Sequence, residues 1–198
     1  LLFFPNTGRV YVERVYQLPE APRTGRGRSI KNVLNLRPEE KINSVLRLEA
    51  QGVEDDAMWS PDKFVLFATK DGTVKKTALE AFKNYRKDGI IAINIEEGND
   101  LVDVVLTNGS SEICFATREG MCLRCVETDI RAMGRGAAGV RGIRLDEGDY
   151  LVALTAVEPD TQLLVVSEKG LGKRTPFEDY RLINRGGKGV KTINITEK

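Results

Sequence analysis

The chain has 198 residues, of which 41% are apolar and 30% charged, and its formal net charge is +1. That is the balance of a globular protein, with no apolar run long enough for a membrane-spanning helix. Histidine is absent, which removes Ser/His and Cys/His nucleophilic pairs, His-ligated zinc and imidazole acid–base chemistry together.

The chain opens in a short apolar run, Leu1 to Phe4, that leads into Asn6-Thr7-Gly8-Arg9-Val10. A glycine in such polar company supplies the positive φ of a hairpin turn between two antiparallel strands. A start on Leu1 with no signal-peptide pattern fits a piece of a longer protein. A second glycine, Gly27, lies in an arginine-rich stretch, and Val33-Leu34-x-Leu36 behind it alternates as a half-buried strand does. Ile42 to Leu48 reads as a further strand, and Gln51 to Asp62 as an insert.

The same phrase then recurs. Phe64 to Ala68 precedes Gly72, Ile113 to Ala116 precedes Gly120, and Leu163 to Val166 precedes Gly170; the second glycines are Gly89, Gly139 and Gly189. Behind them stand Ile91-x-Ile93-x-Ile95, Val140 with Ile143-x-Leu145, and Val190 with Ile193-x-Ile195. Leu101 to Leu106 and Leu151 to Val157 close the second and third units. With the insert set aside, the period is about fifty residues, and four short strands per unit is the count of a propeller blade. Ala78 to Arg86 is the longest helix-compatible run, about two turns, and the chain is all β by this reading. No linker interrupts the period. One domain spanning 1–198 is expected, with repeats near 1–50, 63–109, 112–160 and 162–198.

Chemistry-bearing patterns are sparse. Cys122-Leu123-Arg124-Cys125 has the spacing of a metal or redox motif, but residues three apart on a strand face opposite sides. Cys122 also aligns with Val10 and Val74, an inward position. With Cys114 the thiols are an odd number, without a disulfide framework, as in a reducing cytoplasm; buried thiols and no metal site are expected. Glu39-Glu40, Asp55-Asp56 and Glu96-Glu97 read as solvated turn charge. Gly186-Gly187-Lys188-Gly189 lacks the remainder of a phosphate-binding P-loop. No catalytic residue is identified.

The charge is segregated by sign. Around the second glycines stand Arg23, Arg26, Arg28 and Lys31; then Lys83, Arg86 and Lys87; then Arg131, Arg135, Arg141 and Arg144; then Arg181, Arg185, Lys188 and Lys191, with Asp88 as the only acid among them. Carboxylates collect in the turns that follow: Glu39-Glu40, Glu96-Glu97-x-x-Asp100 and Asp146-Glu147-x-Asp149. Repeats related by rotation would place the cations on one rim and the acids in a band away from it. Glycine beside arginine lets backbone N–H groups and guanidinium approach the same phosphate. Interleaved aromatics are few, Tyr85 and Tyr180, which favours duplex backbone over stacked single strands.

Arg185-Gly186-Gly187-Lys188-Gly189 resembles the core of the gyrase-A box, Gln-Arg-Arg-Gly-Gly-Lys-Gly, of the C-terminal domain of DNA gyrase A proteins. Leu1-Leu2-Phe3-Phe4 with Gly8-Arg9-Val10-Tyr11, Leu18-Pro19-Glu20-Ala21 with Gly27-Arg28, Phe64 to Thr69 with Gly72 to Thr77, and Thr117-Arg118-x-Gly120 extend the resemblance over essentially the whole chain. It implies a β-pinwheel, a propeller-like disc of four-stranded blades that exchange strands, whose outer rim wraps double-stranded DNA. The basic residues named above, Arg144 excepted, would be the DNA contacts. It further implies a cytoplasmic, nucleoid-associated heterotetramer of gyrase A and gyrase B with no membrane partner. ATP and Mg2+ would act elsewhere in that holoenzyme, and this domain would hold no cofactor. Ile183-Asn184 departs from the Gln-Arg of the box, so the segment reads as a degenerate copy, with an intact box expected before Leu1. The alternatives are the corresponding domain of topoisomerase IV and a protein-interaction propeller.

Overall fold

A computed structural model of the protein describes residues 1–49 and 58–195. Fourteen short strands and no α-helix occur among them, as the all-β reading requires. Four antiparallel hairpins carry the fold: β1 (Leu2–Pro5) with β2 (Arg9–Val12), β4 (Phe64–Thr69) with β5 (Thr73–Ala78), β8 (Glu112–Thr117) with β9 (Met121–Val126), and β12 (Gln162–Val166) with β13 (Gly172–Pro176). Their turn glycines Gly8, Gly72, Gly120 and Gly170 all adopt positive φ, between 78° and 82°.

Each of the first three hairpins is widened on both sides. Its own repeat adds a closing strand to the first hairpin strand: β3 (Ile42–Leu46), β7 (Leu101–Thr107) and β11 (Leu151–Val157). The following repeat adds a two-residue strand to the second: β6 (Ile90–Ile91) pairs with β2, β10 (Val140–Arg141) with β5, and β14 (Val190–Lys191) with β9. This is the strand exchange of a pinwheel, four strands per blade drawn from two consecutive repeats.

Both faces of a hairpin strand are buried, which is why Val65 to Ala68 is apolar without a break. On β4, Val65 and Phe67 join Leu2, Phe4, Val10 and Trp59 in the core between blades 1 and 2. Leu66 and Ala68 point the other way, toward Phe115, Leu123 and Cys125 of blade 3. Burying four such side chains contributes on the order of 5 to 10 kcal/mol before chain entropy is charged against it.

Two expectations need correction. The alternating runs behind the second glycines form only two ladder residues each, because the next N–H groups turn to the preceding blade's turn glycine. Ala92 and Ile93 both donate to Gly8 O, Gly142 and Ile143 to Gly72 O, and Thr192 and Ile193 to Gly120 O. Val33-Leu34-x-Leu36 is not a strand: the chain makes a 3-10 turn at Ile30–Asn32, and Leu34 is buried against Phe3 and Tyr11. Of the insert, residues 58–62 fall among the described residues. Residues 50–57 lie outside the described residues, but Trp59 is buried in the first core and meets the Tyr85 ring at 6.1 Å.

Candidate nucleic-acid interface

The sheet order decides where the basic segments go. Closing strands β3, β7 and β11 lie beside one another, tied by Asn43 Nδ2 to Leu101 O at 2.6 Å and by Ser44 Oγ to Val104 O at 3.3 Å. The exchanged strands occupy the opposite edge of each of the first three blades. Each exchanged strand is the continuation of a basic segment, so the segments of repeats 2, 3 and 4 line the outer edge; the first leads into the 3-10 turn at Ile30–Asn32 instead.

Glycine is required where that segment crosses the preceding blade. Gly89 has φ +68°, and a Cβ there would stand 2.9 Å from Val10 O; at Gly139 it would stand 2.7 Å from Val74 O. Val10 and Val74 hold the same place in their hairpins. A side chain at either glycine would push the rim segment off the blade.

Of the anticipated contacts, Arg23, Arg26, Arg28, Arg86, Lys87, Arg131, Arg141 and Arg181 are exposed, and their side chains have no hydrogen bond or ion pair among the described residues. Arg144 shares that state. Lys83 is exposed as well. Lys31 Nζ donates to Pro38 O at 3.4 Å, and Lys191 Nζ to Glu119 O at 2.8 Å. Lys188 pairs with Asp146 at 2.5 Å. Acidic turn and basic rim therefore meet at that junction, and the expected separation of the two is incomplete. Arg135 and Arg185 are half-buried, with guanidiniums bonded to backbone carbonyls. In the box-like segment Gly186 and Gly189 have positive φ, whereas Gly187 does not.

The two aromatics singled out in the sequence do not face outward. Tyr180 is buried against Phe177, and Tyr85 is half-buried on Trp59. Tyr16, 83% exposed and near the first basic segment, is the aromatic that sequence reasoning missed. Lack of a repeat counterpart in the apolar pattern is the signal that would have found it.

Also missed were cations on the inner side of the segments. Lys75 is buried, and its Nζ donates to Ala92 O at 2.7 Å and Arg135 O at 2.5 Å. Burial, aided by the Arg135 charge, pushes its ammonium down to about 8. Lys76 pairs with buried Glu127 at 2.8 Å, and Glu127 also accepts from Thr107 Oγ1 and the Ser111 amide. Arg124 spans Glu112 and the carbonyls of Phe177 and Tyr180. These cations fasten rim segments from within. Their signal was charge at strand positions where other repeats carry Tyr11, Val12 and Leu123.

Glu40, read above as solvated turn charge, is instead buried. It accepts from Tyr11 Oη at 2.6 Å, Thr7 Oγ1 at 2.8 Å and the Arg37 amide at 2.9 Å. Burial, then the Glu40 carboxylate, raises the Tyr11 phenol. The cysteines divide between two cores: Cys114 and Cys122 lie between blades 3 and 4, and Cys125 between blades 2 and 3. Cys122 and Cys125 thus occupy opposite faces, as strand geometry demands. Burial pushes the Cys125 thiol up to about 12; a hydrogen bond with the Cys122 thiol, followed by burial, raises Cys114 as well.

Comparison with known proteins adds the context for this arrangement. The family model described as "DNA gyrase C-terminal domain, beta-propeller" matches residues 1–49, 63–108, 111–158 and 161–198. The DNA gyrase A protein of Halalkalibacterium halodurans is 46% identical over 142 residues, covering 72% of this chain and 16% of the relative. Its Escherichia coli counterpart is 42% identical over 144 residues, covering 72% and 15%. The chain therefore spans only about a sixth of those relatives' length. Among solved structures, a C-terminal domain of DNA topoisomerase IV is 30% identical with a TM-score of 0.81, over 96% of this chain and 57% of that one. A DNA gyrase A C-terminal domain at 23% identity, TM-score 0.79, covering 96% and 58%, shares the fold.

Proposed function

The chain belongs to the DNA gyrase C-terminal domain family, and from that premise we propose that its outer edge binds and bends duplex DNA, largely without regard to sequence. The observation that carries this reading is the set of exposed arginines left without internal partners, Arg86, Arg131, Arg141 and Arg181 among them, on segments that the strand exchange puts at one edge of successive blades; Arg23, Arg26 and Arg28, equally exposed and unpartnered, hold the corresponding sequence positions in the first repeat.

Guanidiniums free of internal ties are available for bidentate bonds to phosphate, and backbone-directed binding is sequence-blind. With Tyr85 and Tyr180 turned inward, base stacking has little surface to use there. A duplex that follows successive blades must curve far below its persistence length of about 150 bp, at a cost of several kcal/mol that distributed ion pairs offset. The domain acts by geometry: it sets a DNA path and performs no bond chemistry.

In the whole protein, this path would present a neighbouring stretch of the same DNA to the strand-passage machinery, so that an ATP-dependent topoisomerase built from gyrase A and gyrase B introduces negative supercoils. ATP and Mg2+ would be used by other parts of that assembly, in the cytoplasm at the nucleoid. The name of the 30%-identical topoisomerase IV neighbour keeps that enzyme as the second reading. The names of the curated relatives, 40–46% identical, favour gyrase.

The test is end-to-end energy transfer on a short labelled duplex with and without the chain. Binding is expected to draw the duplex ends together, and changing Arg23, Arg26, Arg28, Arg131, Arg141 and Arg181 to Ala is expected to abolish both binding and bending. A protein-interaction propeller would show neither effect in the unaltered chain. Equal binding by the substituted chain would refute the rim assignment.

A further inference from the structure

Repeats 3 and 4 place an arginine four residues before the second glycine: Arg135 before Gly139 and Arg185 before Gly189. Both are turned toward the protein. Arg185 Nη1 donates to Arg141 O at 3.1 Å and Nε to Asp129 O at 2.9 Å. Arg135 Nη1 donates to Ile91 O at 3.5 Å. Ile91 and Arg141 are equivalent positions, each two residues past the second glycine of the preceding repeat. The same side chain thus makes the same tie at two successive junctions, from one rim segment back to the exchanged strand of its neighbour.

Backbone bonds hold the same register. The Asn94 amide donates to Ala137 O at 3.5 Å at the first junction, and the Arg144 amide to Gly187 O at 2.8 Å at the second. Lys75 grips the Arg135 carbonyl from inside the blade. A planar guanidinium whose donors serve carbonyls on a neighbouring segment cannot turn to a phosphate without giving up that tie. The flanking arginines at positions 131, 141 and 181 have no such obligation.

We propose that Arg135 and Arg185 are positioning residues: they fix the offset between adjacent rim segments, and through it the curvature of the bound duplex, while phosphate contact falls to the exposed arginines beside them. This rests on the reading that the rim binds duplex. It also reassigns the arginine of the box-like segment from ligand contact to the spacing of the contacts.

Two readouts separate the roles. A phosphate contact contributes about 0.9 to the slope of log affinity against log salt, whereas a positioning residue contributes to the bend at saturation. The chain carrying Arg135→Ala with Arg185→Ala is expected to keep its salt slope within about 0.5 and to lose bending, read as a longer end-to-end distance in the saturated complex. Arg131→Ala with Arg181→Ala is expected to lower the slope by about 1.8.

The charge-conserving pair Arg135→Lys with Arg185→Lys removes the planar fork and is read in the same two assays, so that a failure of the Ala pair to fold leaves the question decidable. It too is expected to keep the slope and lose bending. A slope lowered by about 1.8 in the Arg135/Arg185 Ala pair, or an unchanged bend in the Lys pair, would overturn the proposal. Absence of salt-dependent binding by the unaltered chain would overturn the function reading itself, a different result from either.

Discussion

Gly27 and Gly89 hold the same place in consecutive repeats and nearly the same backbone, φ +69° and +68°, yet they differ in what lies over them. A Cβ at Gly27 would meet nothing within 4 Å, whereas at Gly89 it would stand 2.9 Å from Val10 O and 2.9 Å from Tyr11 Cε1. Gly27→Ala should therefore cost only the left-handed backbone penalty, about 1 kcal/mol. Gly89→Ala incurs the same penalty and also drives β6 away from β2. Arg9 is affected too, since its guanidinium donates to Asp88 O at 2.6 Å and Gly89 O at 2.8 Å. Losing two or three such bonds at about 1 kcal/mol each brings the expected total to about 3 to 4 kcal/mol. Urea denaturation of both variants, followed by far-UV circular dichroism, measures the difference. Equal destabilisation within about 0.5 kcal/mol, less than one hydrogen bond, would mean that φ alone dictates glycine there and that the crossing over β2 is not the constraint.

Other outcomes follow from the internal cations and thiols. Removing the cation from a buried pair leaves an uncompensated charge, so Lys76→Met should cost about 3 kcal/mol or more. Arg118→Ala, which breaks the half-exposed Arg118–Glu119 pair, should cost under about 1 kcal/mol; thermal melts of the two compare them. Lys75 has its ammonium pushed down to about 8 in the folded chain from 10.5. Between those values the unfolded state binds more protons, so the Lys75 contribution to stability should rise with pH, by at most about 3 kcal/mol. The difference in unfolding free energy between the unaltered chain and Lys75→Met, measured from pH 7 to 10, reads this directly; a difference flat with pH contradicts it. Cys114, Cys122 and Cys125 are buried. They should react with a chromogenic disulfide reagent only at the rate of unfolding, and a fast phase in native buffer would contradict that burial.

Much of the fold was legible because glycine and alternation are local signals. Gly8, Gly72, Gly120 and Gly170 announced hairpins, and the short apolar runs before them announced their first strands. The partner of each short strand was not legible. Residues 90–91 pair with β2 because Gly8 O captures the amides of Ala92 and Ile93, a contact between residues far apart in sequence. For the same reason Leu34 was mistaken for a strand residue when it caps the outer face of blade 1. Glu40 shows the limit for charge: a carboxylate beside another in a turn reads as solvated until Tyr11 and Thr7 are found bonded to it. At the rim, sequence located the basic segments, but not the inward turn of Arg135 and Arg185, which depends on carbonyls offered by the preceding repeat.

The central claim, that the exposed cations of the outer edge are a phosphate-binding track, is tested most directly by the salt dependence of binding to a linear duplex of arbitrary sequence. If the arginines and lysine left without internal partners each neutralise one phosphate, log affinity should fall against log salt with a slope of about −8. The slope should be the same for duplexes of unrelated sequence. A slope near zero, or affinity confined to one sequence, would contradict the account.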